Sequence, residues 1–550
     1  MTFSQRRIAD RQGALSLGAR EANLEALSRD DFDLLVVGGG ILGCGIALDA
    51  SARGLRTALV EASDFSGGTS SRSSKLIHGG LRYLERFEFS LTWEASAERR
   101  RLLSLAPGLV RPLPFVLPAY RAIDAIKYEL GLWLYDAVAG FRNTSVHSRY
   151  RAGAALGRYP QLRRAGLRAA FRYHDAVTDD SRLTIQVAKV AGSFGAVAAN
   201  YARVFRFLKK DGAIRGAAVH DVLDGREIEV SARNVVLACG NWVDELLALD
   251  SSDHIPFLSP AKGVSLTVEG GFLPSDHAFF IPVEEDGRLV FAVPWYDRVL
   301  LSTTDTPYRG DLSNPGVDEE DVDYLLRAAN RVFPGWNLTK RNVVAAQAGL
   351  RALVRGSARD VEDLSRRERL IRTSSGLLAV AGGKLTTYRP IAEKVVDALR
   401  SDPDRRGRSG RLPPSPTHAI PLTRRLDSTW RPPPEILDGP LGNYLSWAYG
   451  EDAGPLASRA RETPGAAACL SPGRPYIREE VRYAVQREMA VTVSDFLARR
   501  VRANLLDDEN GAGCAPAVAD IMAELLGWDE VTRQARLRDY LKLAQSHRLR

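Results

Sequence analysis

The segment from residue 33 to residue 61 constrains the fold more than any other part of the chain. Residues 34–37 are apolar and predict a buried strand, residues 38–45 predict a tight turn that enters a helix, and residues 57–60 predict a second strand. A strand, a helix and a second strand in this order form a βαβ unit. The pattern therefore predicts an α/β domain with a parallel sheet.

Three glycines in the turn follow the spacing GxGxxG. Gly38 permits the tight turn, Gly40 lets a ligand approach the backbone, and Gly43 allows the helix to pack closely on the strand. The N-terminus of the helix offers free N–H groups and a positive dipole end to phosphates. Glu61 ends the second strand, where its carboxylate can accept hydrogen bonds from ribose hydroxyls. The segment predicts a dinucleotide site, and the acid argues against a 2′-phosphate.

A second glycine pair indicates which dinucleotide is bound. Residues 377–381 predict another buried strand, and Gly382 and Gly383 follow it before a further helix. Backbone N–H groups at this turn can serve the pyrimidine edge or the ribityl oxygens of a flavin. The two glycine turns lie far apart in sequence. This separation favours FAD, bound by a glutathione-reductase-like domain that a substrate domain interrupts.

The chain is too long for one core, so we predict several domains. Residues 260–304 alternate as antiparallel strands do, and residues 121–140 form an amphipathic helix for which core packing is favoured over membrane or partner contact. The predicted division is an N-terminal extension (1–30), an FAD-binding domain (31–110, 175–250 and 345–400), a substrate domain (111–174 and 251–344), a linker (401–434) and a C-terminal helical domain (435–550).

Charge and cysteine content limit the partners and the compartment. The net charge is +8, which suits an anionic substrate or an acidic membrane surface, and the scattered arginines lack the stacking aromatics of a nucleic-acid site. The four cysteines form no CxxC pair, so we predict no metal site and a reduced, cytoplasmic protein. We see neither a secretory signal nor a run of about 20 apolar residues.

Two long motifs carry a family resemblance. Residues 67–85 and residues 382–389 resemble the signatures of FAD-dependent glycerol-3-phosphate dehydrogenases. Shorter segments agree with them at residues 173–175, 179–182 and 302–305. The resemblance covers about residues 30–400, and more loosely residues 415–545, where it implies a cap domain.

The resemblance implies an activity and its partners. It implies oxidation of sn-glycerol 3-phosphate to dihydroxyacetone phosphate by hydride transfer to FAD. Electrons then pass to a quinone, with the enzyme attached peripherally to the cytoplasmic face of the membrane. The sequence leaves a homodimer open.

The resemblance also implies the site residues. The substrate phosphate is expected to meet Arg82 and Lys384, with Tyr83 beside them, while Arg351 orients the hydroxyls and His78 is a candidate base. Arg351, His78 and Lys384 are thus the candidate catalytic residues. The expected cofactor-binding residues are Gly38, Gly40, Gly43, Glu61, Thr69, Ser70, Ser74, Lys75, His78, Gly240, Gly383, Lys384, Leu385 and Thr386.

Three positions depart from the family pattern. Ala352 stands where the family has a proline, and Asn241 stands at the proline of an alanine–glycine–proline–tryptophan pattern on the flavin side. Ser265 stands where the family has a histidine that could act as base. The proton acceptor is therefore open. Two other interpretations also stay open: an FAD-dependent oxidase that passes electrons to oxygen or acts on another small substrate, and a protein that binds FAD without turnover.

Overall fold

The computed structural model describes residues 15–80, 88–138, 140, 145–273, 276–355, 368–400, 412–423 and 440–549. Its strands are β1 (Asp31–Val37), β2 (Thr57–Val60), β3 (Leu76–Ile77), β4 (Val110–Ala119), β5 (Ser148–Arg151), β6 (Ala169–Thr178), β7 (Val197–Ala199), β8 (Ala202–Lys210), β9 (Ala213–Asp221), β10 (Glu227–Leu237), β11 (Ala261–Glu269), β12 (Ala278–Pro282), β13 (Leu289–Trp295), β14 (Arg298–Ser302), β15 (Thr306–Pro307), β16 (Val343–Arg351), β17 (Arg369–Arg372) and β18 (Leu378–Ala381). Its α-helices are α1 (Leu17–Arg29), α2 (Ile41–Ala52), α3 (Phe89–Leu105), α4 (Ala122–Val138), α5 (Ala152–Arg158), α6 (Asp180–Ser193), α7 (Val243–Asp250), α8 (Glu319–Val332), α9 (Tyr388–Arg400), α10 (Pro440–Tyr449), α11 (Ala453–Glu462), α12 (Arg478–Glu488), α13 (Ala503–Leu506), α14 (Ala515–Leu526) and α15 (Glu530–His547).

The first sheet is built around the βαβ unit that the glycine pattern predicts. β1 pairs in parallel with β2 on one side and with β10 on the other. The full order is β17-β18-β10-β1-β2-β7, and β8 and β9 continue from β10 as antiparallel strands. Alternate side chains of β1 face opposite ways: Leu34 and Val36 pack beneath α2, α6 and α9, while Leu35 and Val37 pack against α1. The predicted α/β class of fold is confirmed.

The second sheet carries the strands that alternation predicts in residues 260–304. Its order is β15-β11-β14-β13-β12-β4-β6-β3, with β16 added beside β11 and β5 beside β6. The pairs are antiparallel except for β4 with β12. The sequence-based division places residues 345–400 in the first domain, whereas β16 pairs with β11 along a ladder from Val343 to Arg351. The second sheet therefore extends to the end of β16.

Two segments expected to be peripheral pack into the first domain. Within the predicted N-terminal extension, α1 buries Leu24 and Leu27 against the first sheet. Arg20 of the same helix forms a buried ion pair with Asp221 at 2.8 Å. Residues 412–423, inside the predicted linker, bury Leu422, whose N–H donates to the carbonyl of Leu105 at 2.7 Å. These parts of the chain are fixed elements of the fold.

The C-terminal region from α10 to α15 is helical, as the sequence predicts. Its helices surround their own apolar core, which includes Tyr476, Phe496 and Met522. α12 contacts α1, so the helical region packs against the first domain. Within the described residues, no helix combines the length and the apolar character needed to cross a bilayer.

The amphipathic helix predicted for residues 121–140 forms as α4, and the core packing favoured for it holds for only one of its faces. Leu132 and Tyr135 are buried, whereas Ile126, Leu130 and Trp133 are 57%, 66% and 51% exposed. Only one face of the helix meets the protein. Most of its large apolar side chains therefore lie on the opposite, solvent-facing side.

Candidate active site and cofactor cavity

The glycine turn between β1 and α2 forms a cradle in which side chains have no room. Gly38 has φ of 111°, and a Cβ atom there would lie 2.7 Å from the carbonyl oxygen of Ala238. A Cβ on Gly43 would approach the carbonyl oxygen of Gly38 to 1.8 Å. Gly40 precedes α2, and the N–H of Ile41 at the start of that helix points to the Ser70 Oγ at 2.9 Å. The helix N-terminus thus opens towards the loop that follows β2.

Glu61 stands at the end of β2, as the sequence predicts, and fixes the turn from its far side. Its carboxylate accepts hydrogen bonds from the N–H groups of Gly39 at 2.6 Å and Ser63 at 2.8 Å, and from the Ser63 hydroxyl at 3.0 Å. Burial raises the pKa of Glu61, and these hydrogen bonds act in the opposite direction. A carboxylate has about four acceptor sites, so it keeps capacity for a ligand hydroxyl.

The loop after β2 runs from the glycine turn to the second sheet. The Thr69 hydroxyl donates to the carbonyl of Leu350 at 2.7 Å, which ties this loop to β16. The Asn241 side-chain amide donates to the same carbonyl at 3.2 Å. Thr69, Ser70 and Ser74 all line one cavity. Asn241, a departure from the family pattern, thus holds the two domains together beside that cavity.

His78 lies where the loop meets the segment after β18. The backbone N–H of His78 donates to the hydroxyl of Thr386 at 3.2 Å. Lys384 and Thr386 follow the glycine pair that ends β18, and both line the cavity with His78. Two motifs that are distant in sequence therefore meet, as the sequence analysis expects of an interrupted domain.

Arg351 ends β16 and reaches the same cavity from the second sheet. Its guanidinium pairs with Asp305 at 2.9 Å and donates to the Thr303 hydroxyl and the Thr304 carbonyl, each at 3.2 Å. Ser265 of β11 also lines the cavity, at the position where a histidine would be expected. The contacts hold the Arg351 fork in one orientation while the side chain stays partly exposed.

These groups surround a single cavity of about 950 Å³ between the two sheets. Its size is at the upper end for a small-molecule or cofactor site. Most of the predicted cofactor and substrate residues line it, namely Gly38, Gly40, Glu61, Thr69, Ser70, Ser74, His78, Gly240, Arg351, Gly383, Lys384, Leu385 and Thr386. Gly43 stands behind the turn, and Arg82 and Tyr83 lie outside the described residues.

Lys75 is not brought to the cavity. Its ammonium group pairs with Asp180 at 2.8 Å and donates to the Ser71 carbonyl at 2.8 Å. Burial lowers the pKa of Lys75 to about 8, although the charge of Asp180 opposes the shift. The lysine links the loop to α6, which explains its place in the motif without a direct ligand contact.

A buried cluster of polar side chains fixes the turn after His78. The Asp175 carboxylate accepts hydrogen bonds from the N–H of Gly79 at 2.9 Å and from the Tyr135 hydroxyl at 3.0 Å. Arg99 of α3 pairs with the same carboxylate. A Cβ on Gly79 would lie 2.1 Å from the Tyr135 hydroxyl, so only glycine fits. The inner face of α4 is therefore packed directly against this turn.

Sequence reasoning missed two arginines that line the cavity. Arg72 belongs to the long signature but was not assigned a role, and Arg499 lies in the C-terminal domain, where no chemistry was expected. The sequence held one clue: three arginines, Arg499, Arg500 and Arg502, interrupt an apolar helical pattern. Arg500 and Arg502 are fully buried, which a solvated basic surface does not explain.

Comparison with known families defines the class of protein. A family described as FAD dependent oxidoreductase matches residues 33–389. A second, described as the C-terminal domain of alpha-glycerophosphate oxidase, matches residues 422–533. The fold and the cavity are accordingly those of an FAD-dependent oxidoreductase with a helical C-terminal domain.

Individual relatives narrow the class. The glycerol-3-phosphate dehydrogenase of Mycobacterium leprae is 36% identical over 525 residues, covering 94% of this chain and 88% of the relative. The aerobic glycerol-3-phosphate dehydrogenase of Bacillus subtilis is 33% identical, and the match covers 95% of this chain and 96% of the relative. The X-ray structure of the Bacillus halodurans glycerol-3-phosphate dehydrogenase complexed with FAD superposes with a TM-score of 0.80 at 32% identity. The superposition covers 97% of this chain and 98% of that structure. The chain belongs to the FAD-dependent glycerol-3-phosphate dehydrogenase family.

The cavity fits the cofactor of this family. The cradle at Gly38 and Gly43 excludes side chains, the positive end of α2 lines the cavity together with the Ser70 hydroxyl, and Glu61 keeps acceptor capacity. The volume suffices for an extended ligand. The residues present therefore agree with FAD as the cofactor.

Proposed function

We propose that this protein oxidises sn-glycerol 3-phosphate to dihydroxyacetone phosphate, with FAD as its redox cofactor. One observation carries the proposal: Arg351, Lys384 and His78 line the same cavity as the dinucleotide cradle. A phosphate ester needs convergent cations, and removal of a hydroxyl proton needs a base. The names of the curated relatives support this choice of substrate.

Each end of the cavity has its own task in this proposal. The positive end of α2 holds the diphosphate, Glu61 accepts from the ribose, and the segment from Gly383 to Thr386 meets the flavin. FAD, when bound, supplies the hydride acceptor. The chain supplies position, charge and a proton acceptor.

The substrate end combines cations with one titratable base. Arg351 orients the substrate oxygens, and Lys384 binds the phosphate, assisted by Arg82 and Tyr83, which lie outside the described residues. Among the described residues that line the cavity, His78 is the only histidine. A serine hydroxyl is too weakly basic to accept a proton near neutral pH, so we assign the base to His78 rather than Ser265.

The test is anaerobic titration of the FAD-loaded protein with sn-glycerol 3-phosphate, in which the absorbance of the oxidised flavin is followed at about 450 nm. We expect the band to bleach and to return on addition of a quinone analogue. A band that persists with FAD bound would contradict glycerol-3-phosphate oxidation and would favour another substrate or a non-catalytic role. Recovery with oxygen but not with the quinone would identify an oxidase instead.

An exposed apolar surface beside the turn after His78 supports the proposal that the electron acceptor is bound in a membrane. We define the apolar stripe as Ile123, Ile126, Leu130, Trp133 and Leu134, all exposed on the outer face of α4. Exposed apolar patches of this kind mark interaction surfaces. Two exposed basic side chains stand beside the stripe, Lys127 and Arg121, of which Arg121 is paired with Asp124 at 2.8 Å. We propose that the stripe enters an anionic lipid surface, from which a quinone is reached.

Replacing Ile126 and Leu130 together by aspartate is expected to release the protein from lipid vesicles. Burying one such side chain contributes roughly 1.5–3 kcal/mol, so each change should weaken binding about tenfold or more. Co-sedimentation with phosphatidylglycerol vesicles measures the effect. Ile255→Asp is the matched control, because Ile255 is 82% exposed outside the stripe. Equal binding of the double variant and the control would refute the proposed surface.

A further inference from the structure

The C-terminal domain reaches the cofactor cavity through one side chain. Arg499 lies on the helical turn Asp495–Arg500, is 14% exposed and lines the cavity. Every other described residue that lines the cavity precedes residue 392. The helical domain therefore contributes to the cofactor site as well as covering the fold.

Arg72 lines the same cavity and is an unusual cation. Among the described residues, its guanidinium donates one long hydrogen bond, to the Ser313 carbonyl at 3.5 Å. No carboxylate of the described residues pairs with it, whereas Arg499 and Arg502 stand close by. Burial, followed by the charges of these two arginines, lowers the pKa of Arg72 to about 10. A half-buried cation that faces like charges is stabilised when an anion joins it.

The place of Arg72 in the chain indicates which anion. Two residues earlier, Ser70 caps the start of α2, where the phosphates of a dinucleotide are expected. Arginine binds phosphate oxygens by charge-assisted hydrogen bonds, and Arg499 keeps its Nη1 for them beyond its contacts with Asp64 and Asp495. We propose that Arg72 and Arg499 form a phosphate clamp that binds the diphosphate of FAD, so that the C-terminal domain completes the cofactor site.

The clamp is held in place by carboxylates on the outside of the cavity. The Arg499 Nε lies 2.6 Å from Asp64, and its Nη2 lies 2.5 Å from Asp495. Loss of Arg499 does not leave these acids alone. Asp64 keeps both oxygens on Arg500, and Asp495 keeps the N–H groups of Val491 and Thr492. A variant at Arg499 should therefore fold.

The experiment compares Arg72→Gln and Arg499→Gln with Arg538→Gln, an exposed arginine of the C-terminal domain outside the cavity. Each protein is stripped of FAD and titrated with it, following the quenching of flavin fluorescence. We expect the Kd for FAD to rise about tenfold or more in each clamp variant, because charge-assisted hydrogen bonds to phosphate are lost. The control should match the unchanged protein.

The KM for sn-glycerol 3-phosphate, measured at saturating FAD, separates two sources of phosphate. A raised Kd for FAD with an unchanged KM supports the cofactor diphosphate as the ligand. An unchanged Kd with a KM raised tenfold supports a clamp for the phosphate of the substrate. If neither constant changes by more than about twofold, the clamp is refuted. Arg72→Lys keeps the charge and should lose less affinity for FAD than Arg72→Gln. It also tests the clamp if the glutamine variant fails to fold.

The clamp depends on FAD binding and not on the identity of the substrate. Failure to oxidise sn-glycerol 3-phosphate would therefore leave the FAD titration informative. Conversely, an unchanged Kd in both clamp variants would leave the proposed reaction standing. The two proposals can fail separately.

Discussion

Replacing Arg351 by methionine is expected to lower kcat/KM for sn-glycerol 3-phosphate by about 100- to 1000-fold, with FAD still bound. The guanidinium is oriented by Asp305, Thr303 and the Thr304 carbonyl, and it is the cation that β16 brings to the cavity. Losing one partner of a hydrogen-bonded charge pair that the bound substrate covers costs about 3–4 kcal/mol, and each 1.4 kcal/mol is tenfold in rate. Steady-state kinetics with a soluble quinone analogue measures the loss.

Replacing Arg351 by lysine separates the contribution of the guanidinium geometry from that of the positive charge. Arg351→Lys keeps a cation but cannot donate to Asp305, Thr303 and the substrate together, so about a tenfold loss should persist. Arg355→Met is the matched control, since Arg355 is exposed four residues further along and does not line the cavity. Full activity of Arg351→Met would remove Arg351 from the substrate site. A loss shared with the control would indicate a general defect in folding.

Local chemistry explains why the cofactor end could be predicted from sequence. The requirement at Gly38 is set by its own positive φ of 111° and that at Gly43 by the Gly38 carbonyl five residues earlier, and Glu61 follows a strand that composition alone identifies. Such constraints leave a pattern in consecutive residues. The α/β class of the fold and the helical C-terminal region followed from similar periodic patterns.

Long-range packing explains what the sequence did not reveal. Arg499 reaches the cavity because the C-terminal domain packs on the loop after β2, more than 400 positions earlier, where it meets Asp64. Lys75 sits inside the long signature but turns away towards Asp180. The outward face of α4 depends on which side of the helix meets Asp175 and Gly79. Each of these outcomes is decided by a partner that is remote in sequence.

Replacing Asp64 by asparagine is expected to destabilise the protein by about 3–5 kcal/mol. Asp64 is fully buried and accepts from Arg500 at 2.6 and 3.0 Å and from Arg499 at 2.6 Å. Removing the carboxylate takes away the counter-charge that the two arginines share at the junction of the domains, and leaves Arg499 only Asp495 and Arg500 only the longer contact with Glu488 among the described carboxylates. For a chain of 550 residues, differential scanning calorimetry should show a fall in Tm of roughly 3–4 °C. Glu229→Gln, which breaks the exposed pair with Arg206, is the control and should cost less than about 1 kcal/mol.

The pH dependence of that difference tests whether charge is responsible. Burial alone would raise the pKa of Asp64, but Arg500 and Arg499 lower it overall. A carboxylate whose pKa is lowered on folding stabilises the folded state above its unfolded pKa of about 3.9, and that contribution fades as the pH falls through the lower, folded value. The Tm gap between the unchanged protein and Asp64→Asn should therefore be full at pH 7 and narrow below about pH 4. A gap that stays constant down to that pH would indicate lost packing rather than lost charge. Adding Arg500→Met to Asp64→Asn should recover part of the stability, because removing both buried partners costs less than orphaning one.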